Sequence, residues 1–353
     1  MSMIQAEHLT FFYPGSPDPV FEDAAFQIDT RWRLGLIGRN GRGKTTLLRL
    51  LMGEYPHEGT LAASESFGYF PSPVPKPERL TAEVLEDLCP DAESWRFPKE
   101  LGLLGVEEEA LWRPFSTLSG GERTKALLAA LFLQEGRFPL IDEPTNHLDA
   151  QGRELAAAYL RRQRGFLLVS HDRRFLDGCV DHILALNRSD IQVQAGNYSS
   201  WRDNFDRFQQ FEEAKDERLR KDVRRLQKAA RQTSVWSDRV ESSKTGAYDK
   251  GFVGHKSAKM MKRAKSLEAR QEKALEEKRG LLQNRETVEA LKLFPLAHHA
   301  KRLVSCSDLT LWYGDRRVCG PLDFAVEPGS RLALEGRNGS GKSSLLKLML
   351  GQD

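Results

Sequence analysis

The sequence lacks any apolar run long enough to cross a membrane. Its longest uninterrupted run, Ala126 to Leu133, has eight residues, whereas a membrane-spanning helix needs about 20. No basic stretch followed by an apolar segment opens the chain, and Glu7 is an early acidic residue, so no secretory signal is recognised. We therefore expect a cytoplasmic protein without a membrane partner.

Cysteine is also scarce. The 353 residues include four cysteines, and none of them stand in a C-x-x-C spacing. This pattern argues against a disulfide scaffold and against a zinc site, and it favours reduced, structural thiols. We assign no function to Cys89, Cys179, Cys306 and Cys319.

Basic charge is concentrated in one segment. The chain has a net charge of only +3, yet Arg218 to Lys265 contains 15 Lys and Arg against 4 Asp and Glu. The rest of the chain is therefore net acidic. Such a local basic segment can attract a polyanion even though the whole chain is nearly neutral.

The beginning of one domain occurs twice in this chain. Leu9–Tyr13 (LTFFY) recurs as Leu309–Tyr313 (LTLWY), and Gly38–Thr45 (GRNGRGKT) recurs as Gly336–Ser343 (GRNGSGKS). A nearly constant offset over two separate motifs indicates duplication of a structural unit. We refer to these as the first and the second copy.

The second copy is shorter than the first. It reaches Asp353, ten residues after its motif, while the first copy continues to about Gly196. We therefore expect a fragment or a truncated gene product, whose complete form would have on the order of 490–500 residues. The expected domains are 1–200, 201–297 and 298–353.

The segment between the copies predicts two long helices. It contains no proline from Trp201 to Phe294 and is rich in Arg, Lys, Glu, Gln and Ala. Apolar residues recur every seven positions in its second half, at Leu267, Ala274, Leu281 and Val288. Serines and glycines around 242–254 separate the halves, so we predict an antiparallel helical hairpin with arms of roughly 28–36 residues, about 40–50 Å long. A solvated helical linker is the alternative.

Both copies contain a phosphate-binding loop. The motif G-x-x-x-x-G-K-[ST] follows an apolar strand at Leu34–Ile37 and precedes a helical run. Its glycines turn backbone N–H groups towards phosphates, its lysine neutralises phosphate oxygens, and its Thr or Ser hydroxyl ligates Mg²⁺. The candidate residues are Gly38, Asn40, Gly41, Gly43, Lys44, Thr45 and Thr46, with Gly336, Asn338, Gly339, Gly341, Lys342, Ser343 and Ser344 in the second copy.

Two carboxylates follow an apolar strand. Phe138–Ile141 leads directly into Asp142 and Glu143, an arrangement that places a Mg²⁺ partner beside a base that orients water. We expect Asp142 on the metal side and Glu143 as the general base. Pro139 is unexpected in this strand, because a central strand tolerates proline poorly. A solvated acidic turn is the alternative interpretation.

Two further segments fit phosphate chemistry. Ser119, Gly120 and Gly121 precede a helical run predicted over Thr124–Gln134, and glycines at a helix N-terminus can form an anion cradle. His171 follows the apolar strand Phe166–Val169, where its imidazole would reach a γ-phosphate from an adjacent strand end. A lone histidine is otherwise more often structural.

Taken in order and spacing, these motifs resemble an ATP-binding cassette (ABC) domain. The phosphate loop is followed by Leu-Ser-Gly-Gly-Glu, by Ile-Asp-Glu-Pro-Thr-Asn-His-Leu-Asp at 141–149, and by Ser-His-Asp at 170–172. Asn146-His147 and the exit Gly196-Asn197-Tyr198-Ser199 resemble the ABC-F family, tandem-cassette ATPases that work on ribosomes. The resemblance implies an α/β P-loop NTPase fold, with a helical hairpin linker and the start of a second cassette.

The resemblance also implies roles for single residues. Tyr13 and Tyr313 would stack on adenine, Asp149 would communicate between cassettes, and His171 would be the switch histidine. Ser119–Gly121 would close on ATP held by Gly336–Ser343, whereas the first phosphate loop would need a second signature that this chain lacks. The chain alone should therefore hydrolyse ATP weakly or not at all.

One position departs from the pattern. Many cassettes carry a glutamine after the strand that reads Phe67-Gly68-Tyr69-Phe70-Pro71, but this chain has Ser72 there. The resemblance therefore leaves Mg²⁺ coordination at the first site undetermined.

The basic segment predicts a nucleic-acid partner. Trp236, Tyr248 and Phe252 lie among its Lys and Arg residues, which suits phosphate neutralisation combined with stacking. Residues 246–263 resemble the extended linker of antibiotic-resistance ABC-F proteins of the Vga/Lsa type, which implies contact with ribosomal RNA and P-site tRNA through 201–297.

We therefore expect an ATP-gated, ribosome-binding ATPase with ATP and Mg²⁺ as cofactors, acting in ribosomal protection against antibiotics. Closure of the cassettes would need the missing part of the second one. Three alternatives remain: a general ABC-F translation factor, the ATPase subunit of an ABC transporter, and a DNA-associated ATPase with helical arms.

Overall fold

The computed structural model describes residues 2–187, 190–242, 301–336 and 338–351, with 262, 266 and 269 as isolated positions. The chain divides into two compact units. The described part of one unit comprises 2–186, 190–198 and the second-copy segments 301–336 and 338–351, and that of the other comprises 187 and 199–242 with the isolated positions.

Strands and helices alternate through the first copy, as expected for an α/β fold. The strands are β1 Met3–Phe11, β2 Phe21–Asp29, β3 Arg33–Gly38, β4 Glu58–Ala63, β5 Ser66–Phe70, β6 Arg137–Asp142, β7 Phe166–Val169, β8 His182–Leu186, β9 Ile191–Ala195, β10 Val304–Tyr313 and β11 Arg316–Val326. The helices are α1 Lys44–Leu51, α2 Thr81–Leu88, α3 Arg96–Leu103, α4 Gly120–Leu133, α5 Ala150–Arg162, α6 Arg173–Cys179, α7 Tyr198–Ser242 and α8 Lys342–Met349.

A six-stranded sheet forms the centre of the first copy. Its order is β5-β6-β7-β3-β8-β9, parallel except for the β8–β9 pair. All four residues of β7 are buried, as expected for a parallel strand covered on both faces. A separate antiparallel sheet, β2-β1-β4, packs its apolar residues into the same core as α1.

Pro139 fits the sheet because of the register of its strand. It lies opposite Gly68 of β5, and the pairing of β6 with β7 begins one residue later, at Leu140 and Leu167. A proline at the start of that pairing interrupts it less than one in the middle of a ladder would.

The second copy repeats a distortion of the first. His8 and Asp308 both adopt left-handed backbone conformations, with φ of 51° each, and the register of β1 with β2 and of β10 with β11 shifts at these points. Asp23 faces His8 at 2.5 Å between carboxylate and imidazole, and the backbone N–H of Asp308 donates to Asp323 at 2.6 Å.

Residues 331–336 form no strand, although the repeat aligns them with β3. In the first copy β3 is held between β7 and β8. Leu332 and Leu334 are 62% and 43% exposed, whereas their counterparts Leu34 and Leu36 are fully buried. Apolar sequence alone thus does not form this strand without its neighbours in the sheet.

The first arm of the predicted hairpin is longer than expected. Helix α7 has 45 residues, which corresponds to about 68 Å, so the prediction of 28–36 residues was wrong. No glycine or proline interrupts the chain from Tyr198 to Ser242, and the helix therefore continues to the serines. The predicted second arm, the tip with Tyr248 and Phe252, and the side chain of Trp236 lie outside the described residues.

In the part of the chain that the structure describes, no helix combines the length and the apolar composition that crossing a membrane requires.

The repeat offers a matched test of the core. Leu48 is fully buried on α1, and its counterpart Leu346 on α8 is 50% exposed. Leu48→Ala should lower the free energy of unfolding by about 2–5 kcal/mol, because it opens a cavity in a packed core. Leu346→Ala should change it by less than about 0.5 kcal/mol. Urea titration followed by tryptophan fluorescence measures both, and equal losses would contradict the difference in burial.

Candidate functional site

The first phosphate loop joins β3 to α1. Gly41 and Gly43 have left-handed φ of 81° and 86°, which glycine adopts without strain. A Cβ on Gly43 would lie 2.5 Å from Val20 Cγ1, so the loop also has no room for a larger residue there. The glycines of the loop therefore allow the conformation that the motif predicts, and larger residues would not.

The Lys44 ammonium lies inside this loop. Its Nζ donates to the carbonyl oxygens of Gly38 at 2.8 Å and Arg39 at 3.4 Å. Burial lowers the pKa of Lys44, while Glu143 and Asp142 act in the opposite direction. A phosphate in the loop would give this half-buried cation the counter-charge that carbonyl oxygens supply only in part.

Thr45 and Asp142 meet across the loop. Thr45 Oγ1 donates to Asp142 Oδ2 at 2.9 Å. A hydroxyl beside a carboxylate is the oxygen donor set that Mg²⁺ takes together with phosphates and waters. Among the described residues no group of three or more His, Cys, Asp or Glu could hold a metal.

Glu143 projects into the same region from the end of β6. Its backbone is left-handed, with φ of 50°, and its N–H donates to Val169 O at 2.9 Å. A left-handed glutamate costs conformational energy and often marks a functional position. Burial raises the pKa of Glu143, while the neighbouring His171 lowers it.

His171 contacts Glu143 in two ways. Its Nε2 lies 3.3 Å from Glu143 Oε1, and its backbone N–H donates to Oε2 at 3.4 Å. The Glu143 side chain is mostly buried, whereas the His171 side chain is 61% exposed. The structure thus brings the predicted base and the predicted switch histidine together.

These side chains line one cavity of about 380 Å³. Tyr13 closes one side of it, and its hydroxyl lies 2.7 Å from Thr46 Oγ1. Its ring packs edge-on against Phe11 and Tyr55 and is 40% exposed. The predicted residues in the lining are Tyr13, Asn40, Gly41, Gly43, Lys44, Thr45, Thr46, Asp142, Glu143 and His171.

Ser119 caps α4, which begins at Gly120, so the helix starts earlier than the predicted Thr124. Its Oγ accepts from the Glu122 N–H at 3.2 Å, and its own N–H donates to Glu122 at 2.7 Å. This capping box stabilises the first turn, which contains Gly120 and Gly121. The side chain of His147 packs against Gly120, 3.4 Å from where a Cβ would stand.

The second phosphate loop lies against this part of the first copy, within the same compact unit. Asn338 Nδ2 donates to His147 O at 2.8 Å, and its backbone N–H donates to Asp149 at 3.4 Å. A Cβ on Gly121 would stand 3.7 Å from Asn338 Nδ2. Gly121 and Asp149 therefore face the second loop, and Ser119–Gly121 and Asp149 do not line the first cavity.

The second loop repeats the geometry of the first. Lys342 Nζ donates to Gly336 O at 2.7 Å, and Gly341 has φ of 88°. A cavity of about 480 Å³ lies beside it, lined by the predicted Asn338, Gly339, Gly341, Lys342, Ser343 and Ser344. Tyr313 ends β10, and its side chain lies outside what the structure describes.

Four residues at these sites were not predicted from the sequence: Val20, Val169, Val318 and Tyr69. Val20 and Val318 line the first and second cavities, and their equal spacing from the two loops in the repeat was a signal for them. Tyr69 Oη donates to Asp142 Oδ2 at 3.2 Å. Ser72, in the position of the expected glutamine, donates instead to Tyr69 O at 2.8 Å.

Comparison with known families and structures agrees with this architecture. Residues 21–146 and 319–353 match the family model described as ABC transporter. A structure described as an ATP binding subunit of an ABC transporter aligns with a TM-score of 0.50 at 23% identity, over 57% of this chain and 93% of the other. This likeness supports the cassette fold.

Curated relatives align along most of the chain. Ribosome protection protein VmlR of Bacillus subtilis (strain 168) is 29% identical over 91% of this chain and 56% of its own length. Energy-dependent translational throttle protein EttA of Escherichia coli (strain K12) is 29% identical over 91% and 61%, respectively. The probable ATP-binding protein YheS of the same strain is 28% identical over 94% and 54%. This chain thus spans a little over half the length of these relatives.

The first cavity allows a direct binding test. Lys44→Ala should weaken binding of a fluorescent ATP analogue at the first loop by on the order of tenfold or more, because a charge-assisted hydrogen bond to phosphate is lost. Lys76→Ala, at an exposed position outside the cavity, is the matched control and should bind like the unmodified protein. Unchanged affinity in the Lys44 variant would show that this loop does not hold the phosphates.

Proposed function

Because this chain contains an ATP-binding cassette of the ABC type and is homologous to ABC-F proteins, we propose that it acts in an ATP-hydrolysing protein that works on the ribosome. The observation that carries the enzymatic part is the convergence of Lys44, Thr45, Asp142, Glu143 and His171 on one cavity. This convergence supports the proposal, because hydrolysis of a nucleoside triphosphate needs charge neutralisation, a metal ligand and a base close together.

Glu143 is the proposed general base. Its raised pKa makes it a stronger proton acceptor than an exposed glutamate, which suits removal of a proton from water. The His171 backbone N–H donates to Glu143 Oε2, while Oε1 is buried without a hydrogen-bond partner among the described residues, so one carboxylate oxygen is available to accept a proton from water. Mg²⁺, held by Thr45 and Asp142 when bound, would neutralise phosphate charge.

The second loop extends this proposal to a composite site. Asn338 touches the carbonyl of His147 and the carboxylate of Asp149, at the end of the first copy that also presents Ser119–Gly121. ATP held by Gly336–Ser343 would then be covered by Ser119–Gly121, and Asp149 would sense its presence through Asn338. Ser343 would ligate Mg²⁺ there.

Ribosome binding is proposed from two observations. Two of the relatives are named for protecting the ribosome and for throttling translation. Helix α7 also carries a group of exposed basic residues, of which neighbouring members are mostly three or four positions apart and lie near one another along the helix. Such a basic surface is the electrostatic footprint of a nucleic-acid partner. It comprises Lys215, Arg218, Lys221, Arg224, Arg225 and Lys228, of which Lys221 also pairs with Glu217 at 2.9 Å.

The finer proposal is protection against antibiotics. ATP binding would close the cassettes and direct the 201–297 linker into the tRNA exit site, beside P-site tRNA, where it displaces a bound drug. Hydrolysis would then release the protein. Such a protein would work in the cytoplasm. A translation factor of the same family is the second candidate, favoured by the translational throttle protein among the relatives.

In a form of the protein with two complete cassettes, Glu143→Gln should slow ATP hydrolysis while leaving ATP binding intact, because the amide keeps the shape of the side chain and removes the base. The variant should therefore accumulate on ribosomes in sucrose gradients with ATP. Glu154→Gln, the same change at an exposed position of α5, is the control and should release normally. Normal turnover without accumulation in the Glu143 variant would remove this residue from its role.

The two candidate functions differ in their effect on a drug. A protection protein should lower the amount of radiolabelled peptidyl-transferase inhibitor retained on ribosomes when ATP is added, and Glu143→Gln should hold that amount low for longer. A translation factor should change elongation without releasing the drug. Filter binding with purified ribosomes measures this, and full retention of every inhibitor class tested would decide against protection.

A further inference from the structure

Tyr69 stands beside the metal side of the first cavity. It lies on β5 opposite Leu140 of β6 in the parallel register, so both strands end at the same edge of the sheet. From there its hydroxyl donates to Asp142 Oδ2 at 3.2 Å. The bond joins a strand residue without an assigned role to the carboxylate that we place at Mg²⁺.

Two hydroxyls converge on that one oxygen. Thr45 Oγ1 donates to the same Oδ2 at 2.9 Å. A threonine that gives its proton to a carboxylate still has a lone pair for a metal. A second donor on the carboxylate limits its rotation, and such outer contacts orient metal ligands in proteins.

Ser72 stands where many cassettes carry a glutamine, and its hydroxyl bonds to the backbone rather than facing the cavity. Ser72 Oγ donates to the backbone carbonyl of Tyr69 at 2.8 Å, which fastens the turn after β5. Ser72 does not line the cavity around Thr45 and Asp142. Its short side chain supports the segment that carries Tyr69 and supplies no oxygen to the metal position.

The chemistry of the two groups fixes the direction of this bond. An ionised carboxylate has no proton to give and only accepts hydrogen bonds, whereas a phenol carries a donor O–H. The Tyr69 hydroxyl is therefore the donor and Asp142 the acceptor.

We propose that Tyr69 is a positioning residue that orients the Asp142 carboxylate for Mg²⁺ at the first phosphate loop, a task in which Ser72 takes no direct part. This inference rests on the proposed function, because it requires that the loop binds ATP together with Mg²⁺. It concerns how the metal is held and not whether nucleotide binds.

The test is the Mg²⁺ dependence of nucleotide binding. Tyr69→Phe keeps the ring and removes the hydroxyl. It should raise the Mg²⁺ concentration for half-maximal binding of a fluorescent ATP analogue by on the order of tenfold or more, while affinity in EDTA stays unchanged. Electron paramagnetic resonance with Mn²⁺ and a non-hydrolysable analogue should show the same loss without any turnover.

A control variant separates positioning from packing. Tyr159→Phe removes a buried hydroxyl outside the cavity and should leave the Mg²⁺ dependence unchanged. An unshifted Mg²⁺ dependence in Tyr69→Phe, or an equal shift in Tyr159→Phe, would overturn the inference. If phenylalanine prevents folding, Tyr69→Met provides a second variant without a hydroxyl.

The same measurements distinguish a failure of the proposed role of Tyr69 from a failure of the proposed function of the first loop. Mg²⁺-dependent binding that is lost in Lys44→Ala but unaffected by Tyr69→Phe would overturn the role of Tyr69 alone. Absence of any Mg²⁺-dependent binding in the unmodified protein would overturn the proposed function of the first loop and this inference together.

Discussion

The parallel register around β7 is the constraint on which the first site depends. Leu36 of β3 and Asp142 of β6 both lie opposite Val169, so three strands finish at one edge of the sheet. The phosphate loop, the two carboxylates and His171 each follow one of these strand ends. A shift of β7 by one residue would move its side chains to the opposite faces of the sheet and would separate Glu143 from His171, because the Glu143 N–H is fixed to Val169 O.

The two copies show how far local sequence determines structure. Both phosphate loops adopt the same glycine conformations, and both lysines donate to the carbonyl of the first glycine of the motif. The strand before the loop behaves differently, since 331–336 forms no strand while β3 does. The loop is a local structure that its own residues specify, whereas the strand depends on neighbours that are distant in sequence.

The same distinction explains which features the sequence could predict. The strands before the loop and before His171 were predicted because their apolar runs are buried on both faces, and the P-loop because its spacing has a steric reason. Tyr69 could not be identified, because its bond to Asp142 depends on the side-by-side arrangement of β5 and β6. The contact of Asn338 with His147 spans 191 residues, and no local pattern reports it. The predicted arm was too short because no glycine or proline stands between Tyr198 and Ser242 to end the helix α7.

The shift in strand register at His8 and Asp308 bears on the order in which parts of the chain fold during synthesis. In each copy the contact that supports the left-handed residue spans 15 residues, from His8 to Asp23 and from Asp308 to Asp323. Contacts this short in sequence close quickly. The antiparallel strand pairs β1–β2 and β10–β11 can therefore each form as soon as they have left the ribosomal tunnel during synthesis. The central sheet needs β3, β6, β7 and β8 together and must wait until β8 ends at Leu186. The short-range contact at the start of each copy can thus close before the distant strands that carry the first nucleotide site come together.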